Sequence, residues 1–61
     1  MTENNIQQLV VSPQKAAELL DITRPTIYKL IHEGELQSFK LGRLRKIPIK
    51  EIENYMDKNL N

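Results

Sequence analysis

Two prolines and a glycine divide the first half of this chain into two short helices. Ser12 precedes Pro13, a pairing typical of a helix N-cap followed by the first helical position, where proline's missing amide hydrogen has no effect. Thr23 is a second capping residue, and Pro25 falls in the first turn of the helix that follows. Gly34 is a C-terminal stop for that second helix. The pattern therefore predicts two helices joined by a tight connection.

Both helices have an apolar face at helical spacing. The first runs from Pro13 to Leu20, and the second starts at Thr23 or Arg24, because a residue before proline is biased away from helical angles. The residues expected to face the core are Ala16, Ala17 and Leu20 in the first helix and Ile27, Leu30 and Ile31 in the second.

The spacing across the connection is typical of a helix-turn-helix. Ala17 is small where the helices would cross, Ile22 lies in the turn, and Ile27 and Leu30 follow where they would pack the second helix onto the first. Asp21 stands where glycine is usual, and aspartate tolerates left-handed backbone angles better than most residues. The alternative is an α-helical hairpin in an unrelated small domain.

Beyond Leu36 the apolar pattern changes to alternation. Phe39 and Leu41 lie on one side and Lys40 on the other, Gly42 marks a turn, and a second alternating run ends at Pro48. This predicts a β-hairpin with Gly42 and Arg43 at its tip.

The register expected for this hairpin puts Phe39, Leu41 and Ile47 on the core side. It requires a three-residue loop, because a two-residue turn would pair 39 with 46 and send Ile47 outward. The cross-strand pairs are then 41 with 45 and 39 with 47. Lys40 and Lys46 become neighbours on the outer face, where like charges are unfavourable unless a phosphate lies between them.

The rest of the chain completes a small α+β fold. Residues 1–8 are polar and aperiodic and are expected to form a disordered arm. Residues 9–11 form a short β-prone run, and Ile49 to Asn59 are predicted helical, with Ile52, Tyr55 and Met56 facing inward. The expected domain spans 9–60: a short N-terminal strand, the two helices, a hairpin wing and a closing helix.

Length and composition limit the chain to one small core. It has 61 residues, of which 39% are hydrophobic, and no cysteine, so disulfides and thiolate metal sites are excluded and a reducing compartment fits. No apolar run is long enough for a membrane span and no signal peptide is evident, so we expect a cytoplasmic protein.

The side chains for catalysis are few. His32 is the only histidine, and Ser12 and Ser38 are the only serines. Acidic residues such as Glu33 and Glu35 are spaced by two, which points them to different sides of a helix. No nucleophile–base pair or ligand cluster follows from these spacings, so we expect no enzyme activity, cofactor or metal.

Basic residues are segregated along the chain. The net charge is only +1, yet residues 22–32 sum to +2 and residues 36–50 to +5, with no acid in either block. Glu33 and Glu35 separate the two blocks. Such blocks are expected of a nucleic-acid-binding surface, the alternative being a solvated face that binds nothing.

From Val11 to Leu60 the chain resembles the excisionase family of DNA-binding domains, a branch of the MerR-like winged helix-turn-helix proteins. The family's capped helix, turn, recognition helix and connector are matched by SPQKAAELLDITRPTIYKLIHEGEL. The wing is matched by FKLGRLRKIP and the closing helix by IKEIENYM.

The resemblance implies that the second helix enters the major groove while the wing lies against the adjacent minor groove or backbone. The recognition-helix positions are then Arg24, Pro25, Thr26, Tyr28 and Lys29, and the wing positions are Lys40, Gly42, Arg43 and Lys46. Arg45 departs from the family, which often has an aromatic residue there, and its charge reaches either solvent or phosphate. Tyr28 is either a DNA contact or half-buried packing, and His32 either a solvated cap or a base contact.

The function that the resemblance favours is an excisionase, or recombination directionality factor, of a mobile element. Such a protein binds near an attachment site, bends the DNA and helps an integrase run excision, here as a monomer in solution that binds DNA cooperatively. The alternative is a small transcriptional regulator with the same module. A protein-interaction module without DNA function predicts an uncharged or apolar wing, which the basic block contradicts.

Overall fold

The computed structural model describes residues 9–60, and the arm expected over 1–8 lies outside the described residues. The elements in chain order are β1 (Val10–Val11), α1 (Pro13–Leu20), α2 (Arg24–His32), β2 (Phe39–Leu41), β3 (Leu44–Pro48) and α3 (Ile49–Leu60). The strands form an antiparallel sheet in the order β1-β3-β2. This is the predicted α+β arrangement of a winged helix-turn-helix.

Side-chain caps fix the starts of α1 and α2. The Ser12 hydroxyl accepts a hydrogen bond from the backbone N–H of Lys15 at 3.1 Å. The Thr23 hydroxyl accepts one from the N–H of Thr26 at 3.4 Å, so α2 begins at Arg24 with Thr23 as its cap.

Both helices end in the same left-handed turn. Asp21 adopts φ 58°, and the next residue, Ile22, donates its N–H to the carbonyl of Ala17 at 2.9 Å. Gly34 adopts φ 77°, and Glu35 donates to the carbonyl five residues back at 2.9 Å. These are Schellman-type bonds, and aspartate takes the glycine position in the first of them.

The core lies between the helices and one face of the sheet. Its fully buried members are Ala16, Ala17, Ile27, Leu36, Ile47 and Ile52. The predicted core faces of α1 and α2 are confirmed, with Leu20, Leu30 and Ile31 partly buried against this cluster. Leu36, in the connector after α2, was not predicted as a core residue.

The predicted register of the hairpin is wrong. Phe39 pairs with Lys46, Lys40 with Arg45, and Leu41 with Leu44, so a two-residue turn of Gly42 and Arg43 joins the strands. Ile47 nevertheless faces the core, where it pairs with Val11 of β1. Consequently Phe39 and Leu41 lie on the outer face and are exposed, and Lys40 and Lys46 lie on opposite faces of the hairpin.

The turn explains this register. Gly42 has φ 66°, whereas Arg43 keeps a negative φ, which is the pattern of a two-residue type II′ turn with glycine first. A three-residue loop would place glycine last. The local turn chemistry therefore outweighs the apolar pattern of β2, and Leu36 fills the core in place of Phe39 and Leu41.

The closing helix contacts the core along a narrower stripe than predicted. Ile52 is buried and Ile49 and Tyr55 pack beside it, but Met56 is 41% exposed, contrary to prediction. The contact follows an i, i+3 row, and Met56 lies beside that row. In the described part of the chain no helix is long and apolar enough to cross a membrane.

Candidate nucleic-acid interface

The outward side of α2 presents polar and basic groups to solvent. The buried side is fixed by Ile27, and at 100° per residue Pro25, Lys29 and His32 lie opposite it. All three are exposed, and Tyr28 beside them is 42% exposed. At this exposure the ring is about half-buried, so both alternatives for Tyr28 stay open.

The first turn of α2 is ordered by a pair of hydroxyls. The Thr23 and Thr26 hydroxyl oxygens lie 2.8 Å apart and share a hydrogen bond. Arg24 and Pro25 stand exposed beside them. Thr26 is thus held in place, and when Thr23 donates in this bond the hydroxyl hydrogen of Thr26 is free to bond an anion at the positive end of the helix.

The wing presents Arg43 at its tip. Gly42 supplies the left-handed angle of the turn, so the following arginine projects from the end of two paired strands. Both residues are exposed. An arginine at the end of a narrow hairpin is suited to the electronegative minor groove of DNA.

The inner face of the wing carries a pair of cations. Lys40 and Arg45 are directly opposite each other on the same face as Ile47. Arg45 is partly buried, and its guanidinium donates a hydrogen bond of 2.7 Å to the Ser38 hydroxyl. The predicted pair of Lys40 with Lys46 on the outer face is therefore wrong, and Lys40 faces Arg45 on the inner face instead. Sequence reasoning missed Ser38, whose signal is a short polar side chain just before β2.

The outer face of the wing carries Lys46 and three apolar side chains. Lys46 is partly exposed and pairs with Phe39, and beyond it Leu41 pairs with Leu44. This surface, Phe39, Leu41, Leu44 and Lys46, is called the outer wing face below.

The cations of α2 and the wing have no carboxylate partners among residues 9–60. The ion pair in this part of the chain joins Lys58 to Glu35 at 3.4 Å, between α3 and the connector. Basic groups left without partners are available to phosphates.

The surface between the connector and α3 carries both acidic and basic groups and offers little room for a ligand. A pocket of about 130 Å³ lies against α3 and is lined in part by Glu35, Glu51, Tyr55 and Lys58. It is smaller than the roughly 300–1,000 Å³ of small-molecule sites. Across residues 9–60 no three His, Asp or Glu side chains are grouped to hold a metal ion.

The fold and this surface define a DNA-binding helix-turn-helix protein. A family described as a helix-turn-helix domain matches residues 10–60. The chain belongs to that family.

Curated relatives carry different names. The chain is 35% identical over 48 residues to a probable excisionase of Saccharopolyspora erythraea, covering 79% of this chain and 49% of the relative. It is 35% identical over 49 residues to a Mycobacterium tuberculosis protein named as an antitoxin, VapB50, covering 80% and 38%. An uncharacterised protein of Mycobacterium bovis is 31% identical over 51 residues, covering 84% and 45%. The chain spans less than half the length of these relatives.

Proposed function

We propose that this chain is an excisionase-type protein that binds double-stranded DNA through α2 and the wing and promotes integrase-mediated excision of a mobile element. The observation that carries the proposal is the set of cations on α2 and the wing, which have no carboxylate partners among residues 9–60, on a winged helix-turn-helix that resembles a probable excisionase. It acts as a binding protein with no catalytic step.

Helix α2 supplies the base contacts in the major groove. Arg24 and Lys29 donate to guanine O6 and N7 or to phosphate, as position along the groove dictates. Tyr28 presents an exposed ring beside them. Thr26 bonds a phosphate at the helix N-terminus, and Pro25 fixes the backbone that aims these groups.

The wing supplies the contacts that do not depend on the base sequence. Arg43 enters the minor groove, and Gly42 lets the backbone approach it closely. Lys46 neutralises a phosphate on the outer side of the wing. On the inner side, Lys40 and Arg45 hold another phosphate between them, which removes the repulsion of two facing cations.

Size sets how much DNA one copy covers. The described chain measures 34 × 27 × 18 Å, so its longest dimension is close to one turn of B-DNA, about 34 Å. One copy therefore engages a major groove and the next minor groove. Copies that are monomeric in solution bind neighbouring sites cooperatively, and their combined contacts bend the DNA near an attachment site.

The second candidate is a small transcriptional regulator that uses the same surface. The likeness to a protein named as an antitoxin favours it, because the same type of domain then also occurs outside recombination. Mapping of protected DNA separates the two functions. Adjacent repeats beside an attachment site, with excision lost in the Lys29→Ala variant, are the expected result. Protection confined to a promoter, with no effect on excision, contradicts the excisionase role.

A further inference from the structure

The outer wing face exposes more apolar surface than a small domain leaves without reason. Leu41 and Leu44 form a cross-strand pair and are 59% and 61% exposed, and Phe39 beside them is 40% exposed. The core does not need them, because Leu36 and Ile47 occupy the positions beneath the sheet. Three large apolar groups on one face of a five-residue and a three-residue strand point to an occupant.

The position of this face in the fold indicates what kind of molecule binds to it. The leucine pair immediately flanks Gly42 and Arg43, so whatever receives the tip of the wing also meets Leu41 and Leu44. Lys46 lies on the same face, and residues 36–50 contain no acid. The occupant is therefore anionic as well as apolar at close range.

The minor groove of DNA has this combination. Its walls are the C–H surfaces of deoxyribose, its rims are phosphates, and proteins that use it commonly press apolar side chains into it beside basic ones. We propose that Leu41 and Leu44 pack against deoxyribose in the groove wall when Arg43 enters the groove, with Phe39 extending the contact and Lys46 on the flanking phosphate. This inference rests on the proposed DNA-binding function and adds a contact independent of charge.

A double variant tests this contact directly. Leu41→Ser with Leu44→Ser removes the apolar pair and leaves every charge in place. We expect affinity for a mixed-sequence duplex to fall by about tenfold, the loss of partial burial of two leucines. The slope of log affinity against log salt stays as in the wild type, because that slope counts phosphate contacts. Arg43→Ala, in contrast, lowers both the affinity and the slope.

Hydroxyl-radical footprinting gives a second readout, because the radical attacks exposed deoxyribose hydrogens. The double variant is expected to lose protection of sugars at one minor-groove segment while the protection around α2 persists. Leu19→Ser is the matched control, since Leu19 is 50% exposed on α1 and carries no contact in this proposal. Thermal unfolding of each variant shows that the fold is intact.

The possible outcomes distinguish failure of this inference from failure of the proposed DNA-binding function on which it rests. If Lys29→Ala and Arg43→Ala weaken binding while the double serine variant binds and protects like the wild type, the sugar contact is overturned and DNA binding stands. If the serine changes alter only self-association in sedimentation, the face is an interface between copies and the inference is overturned. If the wild type binds no duplex at any salt concentration, the proposed function itself fails.

Discussion

Lys29 and Arg43 carry the same charge in different settings, and this difference predicts different losses. If the contact is to a base edge, Lys29→Ala or Arg24→Ala is expected to relax preference at one base position and to cost about 1–3 kcal/mol on the preferred sequence. Arg43→Ala is expected to weaken all sequences alike, with some extra dependence on A·T content, because the proposed partner of Arg43 is the minor groove. Binding titrations against a panel of duplexes measure both.

Lys58→Ala is the control for these variants, because Lys58 lies on α3, outside the proposed interface, and pairs with Glu35 of the connector. It removes the same charge and is expected to leave sequence preference unchanged. If the α2 and wing variants lost equal affinity for specific and non-specific DNA, α2 and the wing would not make the different kinds of contact proposed for them.

Asp21 holds a left-handed angle, φ 58°, that glycine adopts without strain. Asp21→Gly is therefore expected to raise the free energy of unfolding by about 1 kcal/mol, the size of the left-handed penalty for an L-residue. DNA affinity is expected to stay unchanged because the turn geometry is retained. Chemical denaturation measures the stability. A destabilised glycine variant would mean that the aspartate side chain contributes more than its backbone angle costs.

The roles of several single residues could be predicted from the sequence, because those roles depend on local chemistry. Ser12 and Thr23 are caps in the sequence and in the structure, because a hydroxyl before a helical run has one dominant use. Leu36 and Ser38 were not predictable in this way. Each depends on a distant partner, the core for Leu36 and the Arg45 guanidinium for Ser38, and no periodic pattern marks a connector.

At the scale of elements, the register set by the two-residue turn predicts which face of the hairpin contributes to stability. Ile47→Ala is expected to lower the free energy of unfolding by about 2–5 kcal/mol, because Ile47 is fully buried. Leu41→Ala is expected to change it by no more than about 0.5 kcal/mol, because that side chain is exposed. Denaturation curves of the two variants measure both changes. A large loss of unfolding free energy in Leu41→Ala would contradict the observed pairing and favour a register in which Leu41 faces the core.

The facing cations of the wing give a second prediction at this scale. Lys40→Glu is expected to stabilise the free fold by about 0.2–1 kcal/mol, by replacing repulsion from Arg45 with attraction, and to weaken DNA binding sharply. Lys46→Glu is the matched control, because Lys46 faces Phe39 and gains no such partner. It is expected to weaken DNA binding without stabilising the fold. A stabilised Lys46→Glu variant would contradict the observed pairing.

The elements were predictable as elements, whereas their pairing was not. Prolines, caps and apolar periodicity locate every helix and both strands of the hairpin. The register depended on two competing signals, the apolar alternation of β2 and the position of Gly42 in the turn. The turn determined the register because the left-handed angle of Gly42 is a local requirement of the backbone. The apolar pattern of β2 was not decisive, because Leu36 fills the core in place of Phe39 and Leu41.

For the molecule as a whole, both its length and the distribution of its charges fit the proposed binding to DNA. The described chain is no longer than about one DNA turn. Helix α2 and the hairpin carry six cations and no acid, whereas most of the acidic groups of the described chain lie on the connector and α3. In the proposed function this distribution of charge is expected to orient the protein on DNA, even though its net charge is only +1.

The salt dependence of duplex binding tests the central claim most directly. Six cationic side chains, Arg24, Lys29, Lys40, Arg43, Arg45 and Lys46, lie on α2 and the hairpin. If four to six of them meet phosphates, log affinity falls against log salt with a slope of about −4 to −5 per copy, from roughly −0.9 for each phosphate. A slope near zero in the same titration, or no binding at low salt, would contradict the assignment of this surface to DNA.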